Sequence, residues 1–457
     1  MRKSIMATFL VAFAILYSLA PVFTHAGPRV QEPEDSTPPD IVLIVADDLG
    51  WGDLGCFGAT DIQSPHLDGL AAEGQRWSRF YANCCVCSPT RASILSGCYP
   101  DRVGVPGVIR THAENNWGKL AEGIPLLPHL LRQRGYRTAA IGKWHLGLEE
   151  GDHPLDRGFD FFHGFLGDMM DDYYTHLRHG RNYMRWNRTA INPAGHATSL
   201  FAEWAGDAID RFASDPAPYF LYLAFNAPHG PIQPPPEALE TVRRRLPELS
   251  AKRARLVALI EDLDAAIGRV RRHIESTGRE TIIVFVSDNG GELGAGANNG
   301  QLRDGKGSMY EGGLRVPAIF HYPRRIPRHS TCTAVGATMD LLPTLCELAG
   351  VSPPTGIDGQ SLVAWLQAPD KTQPPRELYF VRREGGPAFC GLTSEALRLG
   401  DWKLVHNRPT ESFQLFELQS DPLEKNDLAS SNPRKLREMQ QRLSRHIQQG
   451  GRVAWQP

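Results

Sequence analysis

The sequence predicts an α/β protein: a large, mostly parallel sheet sandwiched by helices, followed by a small C-terminal subdomain with an antiparallel sheet. Three observations carry this. Apolar runs of strand length, such as "IVLIVA" (Ile41–Ala46) and "TIIVFVS" (Thr281–Ser287), are continuous rather than alternating, as in strands buried on both faces. Such runs alternate with stretches of helical period through most of the chain, the order that parallel sheets require. After about Ala368 the pattern changes to short alternating strands and one polar helix.

In chain order, Arg2 and Lys3 precede an apolar run, Ile5–Phe23, and Thr24-His25-Ala26 ends in a small residue before Gly27. Residues 1–26 read as a secretory signal peptide, so the protein is expected to be exported, periplasmic or secreted. An uncleaved anchor is the alternative, since the run is nearly long enough to span a bilayer. No later segment is, so no stable membrane span is expected after cleavage. Residues 27–40, Pro-rich and polar, form a linker. The catalytic α/β domain, residues 41–368, begins with strand "IVLIVADD" and helix "SPHLDGLAAEG", which has Pro in its first turn and a closing Gly. Helix "GIPLLPHLLRQRGY", strand "RTAAIG", helix "SLFAEWAGDAIDRFASD" and strand "PYFLYLAFN" follow. Helix "LVALIEDLDAAIGRVRRHIESTG", strands "TIIVFVSDNGG" and "RVPAIFHYP", and helix "TMDLLPTLCELAG" complete it. In the C-terminal subdomain, residues 369–457, strands "RELYFVRR", "ALRLGDWKLVHN" and "FQLFELQSD" lead to helix "PRKLREMQQRLSRHIQQ".

A net charge of -2, with 22% charged and 41% hydrophobic residues, is ordinary for a globular protein and offers no basic field for nucleic acid. Eight cysteines do not make a disulfide scaffold in 457 residues. Export permits a bridge or two, and Cys332 with Cys346 is one possible pair.

Strand ends carry the chemistry. Asp47-Asp48, Lys143-Trp144-His145, Pro228-His229 and Asp288-Asn289 each follow an apolar strand. In open α/β sheets ligands bind outside the carboxyl ends of the strands, so these groups can converge. Asp47, Asp48, Asp288 and Asn289 offer oxygen ligands, which suit Ca²⁺ or Mg²⁺ rather than Zn²⁺. One such pair alone reads as a turn cap. Two pairs, each ending an apolar strand, favour a metal. Lys143, His145, His229, Lys306 and Arg91 are candidates to surround an anionic group, as sulfuryl or phosphoryl transfer requires. "GQLRDGK" (Gly300–Lys306) imitates a phosphate-binding loop, but Gly307 stands where Ser or Thr would hold Mg²⁺.

"NCCVCSPTRASILSG" (Asn83–Gly97) crowds three cysteines before a helix start. Cys87 falls at or just before the helix N-terminus, where an unmodified thiol would be a low-pKa nucleophile. Cys84 and Cys85 read as buried apolar residues or bridge partners. Only Cys87 has Pro two residues on (Pro89) and Arg four on (Arg91). "CSPTRASILSG" resembles the signature of the formylglycine-dependent sulfatases, arylsulfatase-like members of the alkaline phosphatase superfamily: Cys-x-Pro-x-Arg, then a helix and Gly. "IVADDLGWGDLGCFG", "GKWHLG", "LDRGFDFFHGF", "APHGP", "SDNGG", "LRDGKGSMYEGGLRVP", "DGQSL" and "DPLEKNDLA" extend the resemblance from about Ile41 to Ala429 in the family's order. Thr90 replaces the commoner Ser, and Cys98 stands where the family often has Arg.

The resemblance implies an alkaline-phosphatase-like fold and a sulfuric ester hydrolase acting on a sulfated small molecule or saccharide. It implies that a formylglycine-generating maturation enzyme oxidises Cys87. One Ca²⁺ would be held by Asp47, Asp48, Asp288, Asn289 and the modified Cys87. By the same resemblance, one hydroxyl of the hydrated aldehyde attacks sulfur, with Asp288 taking its proton. Lys143, His229 and Lys306 hold the sulfate, and His229 or Lys306 protonates the leaving alcohol. His145 helps the second hydroxyl expel sulfate, and Arg91 orients the modified side chain. Two alternatives stay open: a phosphodiesterase or phosphonate hydrolase on the same fold, and a non-catalytic sulfoglycan-binding protein if Cys87 remains a thiol. The aromatic loop Asp168–Asn187 is expected near the mouth, its rings either stacking on sugar or packing locally.

Overall fold

The computed structural model describes residues 38–453 apart from 113, 114, 117 and 387. The signal segment 1–26 and all but the last residues of the linker lie outside the described residues. The chain forms strands β1 (Asp40–Ala46), β2 (Gln75–Tyr81), β3 (Arg137–Lys143), β4 (Phe161–Phe165), β5 (Leu177–Arg178), β6 (Arg181–Asn182), β7 (Met184–Trp186) and β8 (Thr189–Ala190). They are followed by β9 (Tyr219–Ala224), β10 (Thr281–Ser287), β11 (Ala318–His321), β12 (Ser330–Ala337), β13 (Glu377–Arg383), β14 (Thr393–Leu399), β15 (Trp402–His406) and β16 (Gln414–Glu417). The helices are α1 (Pro65–Glu73), α2 (Cys87–Ser96), α3 (Leu127–Gln133), α4 (Ala197–Ala213), α5 (Pro236–Arg245), α6 (Ala251–Ser276), α7 (Glu311–Leu314), α8 (Leu341–Leu348), α9 (Val363–Gln367) and α10 (Pro433–Gly450).

The continuous apolar runs occupy the middle of a ten-stranded sheet of order β12-β2-β11-β10-β1-β9-β3-β4-β7-β8. From β10 to β4 the neighbours are parallel. β11 is antiparallel to both β10 and β2, and β7 and β8 extend antiparallel from β4. β1 explains why helices cover both faces. Its side chains alternate sides, so Ile41, Leu43 and Val45 join a cluster with α2, α3 and α8. Val42, Ile44 and Ala46 join another with α1, α4 and α6. A third cluster fills the space under the four-stranded antiparallel sheet β13-β14-β15-β16, with Met439 and Leu443 of α10.

The register sets up the site. Ala46 pairs with Ser287, Val45 with Ala224, and Gly142 with Ala224, so β10, β1, β9 and β3 end level at one edge.

Several elements differ from expectation. Helix α6 starts at Ala251 rather than Leu256 because Ser250 caps it, its side chain accepting from Arg253 N at 3.2 Å. Only the middle of "GIPLLPHLLRQRGY" is helical, Leu127–Gln133, with Pro128 in the first turn of α3. The strands β2, β4 and β12 were not expected at all. Cys332 and Cys346 form no bridge; both are buried thiols packed as apolar residues in the same core cluster. No described helix is long and apolar enough to cross a membrane.

Candidate active site

Two chain reversals at the level sheet edge place the acidic groups. Asp47 and Asp48 leave β1 while Asp288 and Asn289 leave β10, and Asp288 N donates to Ala46 O at 3.1 Å. Asp48 takes a left-handed backbone, φ 67°, and its N–H donates to Asp288 Oδ1 at 3.2 Å. Ser287 Oγ fastens both reversals, accepting from Leu49 N at 3.1 Å and donating to Asn289 O at 2.9 Å. The ligand atoms of Asp47, Cys87 and Asp288 lie within 4.8 Å of one another, as do those of Asp47, Asp48 and His229.

Cys87 is the first residue of α2, every residue of which is buried. Helix α2 closes at Gly97, whose φ of 71° suits glycine and whose N–H donates to Ser93 O. Thr90 Oγ1 accepts from Cys84 N and donates to Cys84 O, both at 3.1 Å, which fixes the turn ahead of Cys87. Cys84 and Cys85 are fully buried and pack into the cluster beneath the C-terminal sheet. The thiol of Cys87 is not the low-pKa nucleophile its helix position suggested. Burial is the largest influence and, with Asp47 and Asp288 beside it, pushes the thiol up to about 11 against Lys143 and Lys306.

Every carboxylate meets a cation, and Asp47 meets two, since Arg91 Nη2 also lies 3.6 Å from its Oδ2. Lys143 Nζ donates to Asp47 Oδ2 at 2.5 Å and Lys306 Nζ to Asp48 Oδ2 at 2.7 Å. Arg91 donates to Asp288 Oδ2 through Nε at 3.0 Å and Nη2 at 2.7 Å, and through Nη1 to Lys143 O at 3.3 Å. Among the described residues Arg91 makes no hydrogen bond to Cys87; it grips Asp288 and the end of β3 instead. Burial would raise Asp47, but Lys143, His229 and Arg91 outweigh it and hold the carboxyl far below its ordinary range. Asp288 goes the other way: burial, then Asp47, push it up to about 7 despite Arg91. Burial is the largest influence on Lys306 and opposes its charge, yet Asp48, Cys87 and Asp47 together outweigh it and raise it.

The histidines are neutral. His145, with φ 59°, donates from Nε2 to Ile109 O at 2.7 Å, while its Nδ1 is buried without a partner. Burial, Lys143 and Arg91 hold it well below the usual imidazole range. His229 donates from Nδ1 to Gly230 O at 2.7 Å and accepts at Nε2 from Lys306 Nζ at 3.1 Å. Burial and Lys306 lower it. Lys306 and His229 have side chains 19% and 11% exposed, against 0% for Lys143, so they stand at the mouth.

All the residues expected from the sequence thus meet at one sheet edge. Sequence reasoning missed the supports. Tyr173 Oη donates between Asn226 O (2.9 Å) and His229 O (2.8 Å), bracing the His229 turn. Ser88 Oγ accepts from Ile109 N at 3.1 Å, tying the carbonyl that orients His145 to α2. The loop 168–187 is split: Tyr173 is buried in this bracing role, while Trp186 lies on β7, away from the site.

The donor set fits a hard cation. Asp47 Oδ1 and Asn289 Oδ1 are buried oxygens with no hydrogen-bond partner, aligned with acids already gathered. The chain matches the N-sulphoglucosamine sulphohydrolase C-terminal model over residues 304–451. It is 33% identical to N-acetylgalactosamine-6-sulfatase of Sus scrofa, over 89% of this chain and 78% of that protein. Arylsulfatase G of Mus musculus is 32% identical over 80% of this chain and 76% of its own length. The crystal structure of Ps i-CgsB with k-i-k-neocarrahexaose superposes with a TM-score of 0.83 at 29% identity, covering 91% of this chain and 94% of that one. With the sulfatase family model matching residues 39–351, most of the α/β fold and nearly all of the gathered edge, the chain belongs to the sulfatase family and is a sulfatase.

Proposed function

We propose that the protein hydrolyses a sulfuric ester of a saccharide, using Cys87 oxidised to formylglycine and a Ca²⁺ ion. The observation that carries this is the cluster of three buried carboxylates held by Lys143, Lys306 and Arg91, which leaves Asp47 Oδ1 and Asn289 Oδ1 unmatched. Asp47, Asp48, Asp288, Asn289 and the modified Cys87 would hold the ion, which supplies charge that polarises oxygen atoms near it. Formylglycine, installed by a maturation enzyme, supplies a hydrated aldehyde as nucleophile. Lys143 and Lys306 then donate to the sulfate oxygens instead of to the acids. Lys306 Nζ holds a proton against His229 Nε2 at the mouth and delivers it to the leaving alcohol. His145 Nδ1, neutral and unpartnered, accepts a proton deep in the site. Arg91 opposes protonation of Asp288 and holds it in place.

The saccharide substrate is supported by the names of the relatives and by the sugar bound to the structural neighbour. The N-terminal segment supports export, which N-terminal sequencing of the mature protein checks: the chain should start at Gly27. The deciding experiment compares kcat/KM on an aryl sulfate and an aryl phosphodiester, with mass spectrometry of the Cys87 peptide and a screen of sulfated saccharides that includes N-acetylgalactosamine 6-sulfate. Faster phosphodiester cleavage would replace the reading by a phosphodiesterase, and an unmodified thiol in native-host protein would leave only a sulfoglycan binder.

A further inference from the structure

A cavity of about 640 Å³ opens at the starts of β3 and β4, within the range of small-ligand sites. It lies at the opposite end of the sheet from the gathered acids, about 20 Å along β3 from Lys143. β4 supplies Phe161 and His163, β7 supplies Trp186 in register with His163, and α4 supplies Trp204, Asp207 and Arg211. His163 stacks on Trp204 with centroids 3.4 Å apart and planes at 14°. Trp186 stands edge-on to His163 at 4.6 Å and to Phe161 at 5.2 Å, and is 47% exposed.

An exposed Trp alone is ordinary. The polar atoms around it are not. Among the described residues, the indole N–H groups of Trp186 and Trp204 and the ring nitrogens of His163 have no protein hydrogen-bond partner, Asp207 has no ion pair, and Arg211 has none either but sets its guanidinium over the Phe161 ring at 5.9 Å. Burial keeps His163 neutral, down to about 3, so it offers one donor and one acceptor. The wall therefore combines a half-exposed indole, neutral ring donors, one carboxylate and one guanidinium. A hexopyranose has the matching chemistry: a C–H face to stack and hydroxyls that both donate and accept. A purely apolar ligand would leave the nitrogens and Asp207 unmatched. The nearby acids Asp160 and Asp215 are taken up by Arg132 and Arg137, so no cationic excess remains to hold a sulfate.

We propose that this cavity binds an uncharged hexopyranose unit of a glycan, separately from the catalytic centre and independently of the chemistry at Cys87. The test is calorimetric titration of the whole mature protein with galactotetraose, cellotetraose, mannotetraose and chitotetraose. At least one should bind with a millimolar or tighter Kd, undisplaced by inorganic sulfate. Trp186→Ala or Asp207→Ala should weaken it by about tenfold, while turnover of an aryl sulfate stays at the wild-type rate. The proposal is overturned if none of the four binds, if both variants bind as wild type does, or if inorganic sulfate displaces the sugar.

Discussion

At the level of single residues, the site is governed by which atom of each side chain is already committed. His145 commits Nε2 to Ile109 O and keeps Nδ1 free, so its tautomer is fixed before any substrate arrives. A neutral imidazole in that state can only accept a proton at Nδ1. Replacing it by alanine should lower kcat on an aryl sulfate by about 10²- to 10⁴-fold while KM changes little, as steady-state kinetics would show. Equal losses in kcat and 1/KM would instead mean that His145 holds the substrate. Arg91 illustrates the same logic. Its place in the Cys-x-Pro-x-Arg pattern suggested a partner in Cys87, yet two of its nitrogens converge on one oxygen of Asp288. Helix α2 therefore carries both Cys87 and the guanidinium that holds the carboxylate just after β10.

At the level of elements, the most telling fact is that α2 is buried along its whole length. Cys87 is 4% exposed, so no enzyme can reach its thiol in the folded protein. On the proposed reading, conversion of Cys87 therefore precedes folding. Protein refolded with a free Cys87 and then given the maturation enzyme should stay unmodified by mass spectrometry, whereas the unfolded segment is converted. Close approach of elements is a second control. A Cβ on Gly290 would collide with the carbonyl oxygen of Gly312, where the end of β10 meets the loop that carries Lys306. Gly290→Ala should cost about 1–3 kcal/mol in denaturant unfolding and displace Lys306 enough to lower kcat/KM. The sequence made β1, β9 and β10 legible because burial on both faces demands unbroken apolar runs. β2, "QRWSRFY", was missed because its buried inward position Gln75 is polar and Arg76, Ser78 and Arg79 leave no unbroken apolar run. The acids, Lys143 and the histidines were legible from their place at strand ends, whereas Lys306 lies in a loop that follows no strand. Ser287, Tyr173 and the Ser88–Ile109 link were not, because their partners are polar backbone groups that no local pattern announces.

At the level of the whole molecule, the C-terminal sheet bears on the loop at the mouth of the site. Lys403 of β15 is fully buried and bonds Glu311 at 2.9 Å and Glu424 at 2.8 Å. Glu311 also accepts from Tyr81 Oη at 2.7 Å and opens α7, five residues after Lys306. On the other side of that loop, Gly307 N donates to Cys85 O at 2.9 Å, and Arg382 of β13 donates to Gly307 O at 3.4 Å. The subdomain thus braces the segment that presents Lys306. Burial would raise Glu311, but Lys403, Arg398 and Arg315 outweigh it and hold it at about 2, from an ordinary 4.5. A carboxylate lowered in this way contributes stability that is complete above about pH 4.5 and fades as pH falls towards 2. Glu424, raised by burial against the pull of Lys403, works in the opposite sense above pH 4.5. Lys403→Met removes the cation both acids share. At pH 7 two buried carboxylates lose their partner, and the variant should be less stable by about 3–5 kcal/mol. Near pH 3 the carboxyls of the variant are protonated, while the wild type loses part of the Glu311 contribution and keeps a buried ammonium. The gap between the two should then narrow, as denaturant midpoints at the two pH values would show. A gap that stays constant with pH would mean that Lys403 acts through packing of its aliphatic stem and not through its charge. Activity lost in parallel with the gap at pH 7, and restored in neither direction by added sulfate, would identify the loop bearing Lys306 as the part of the site that this network holds.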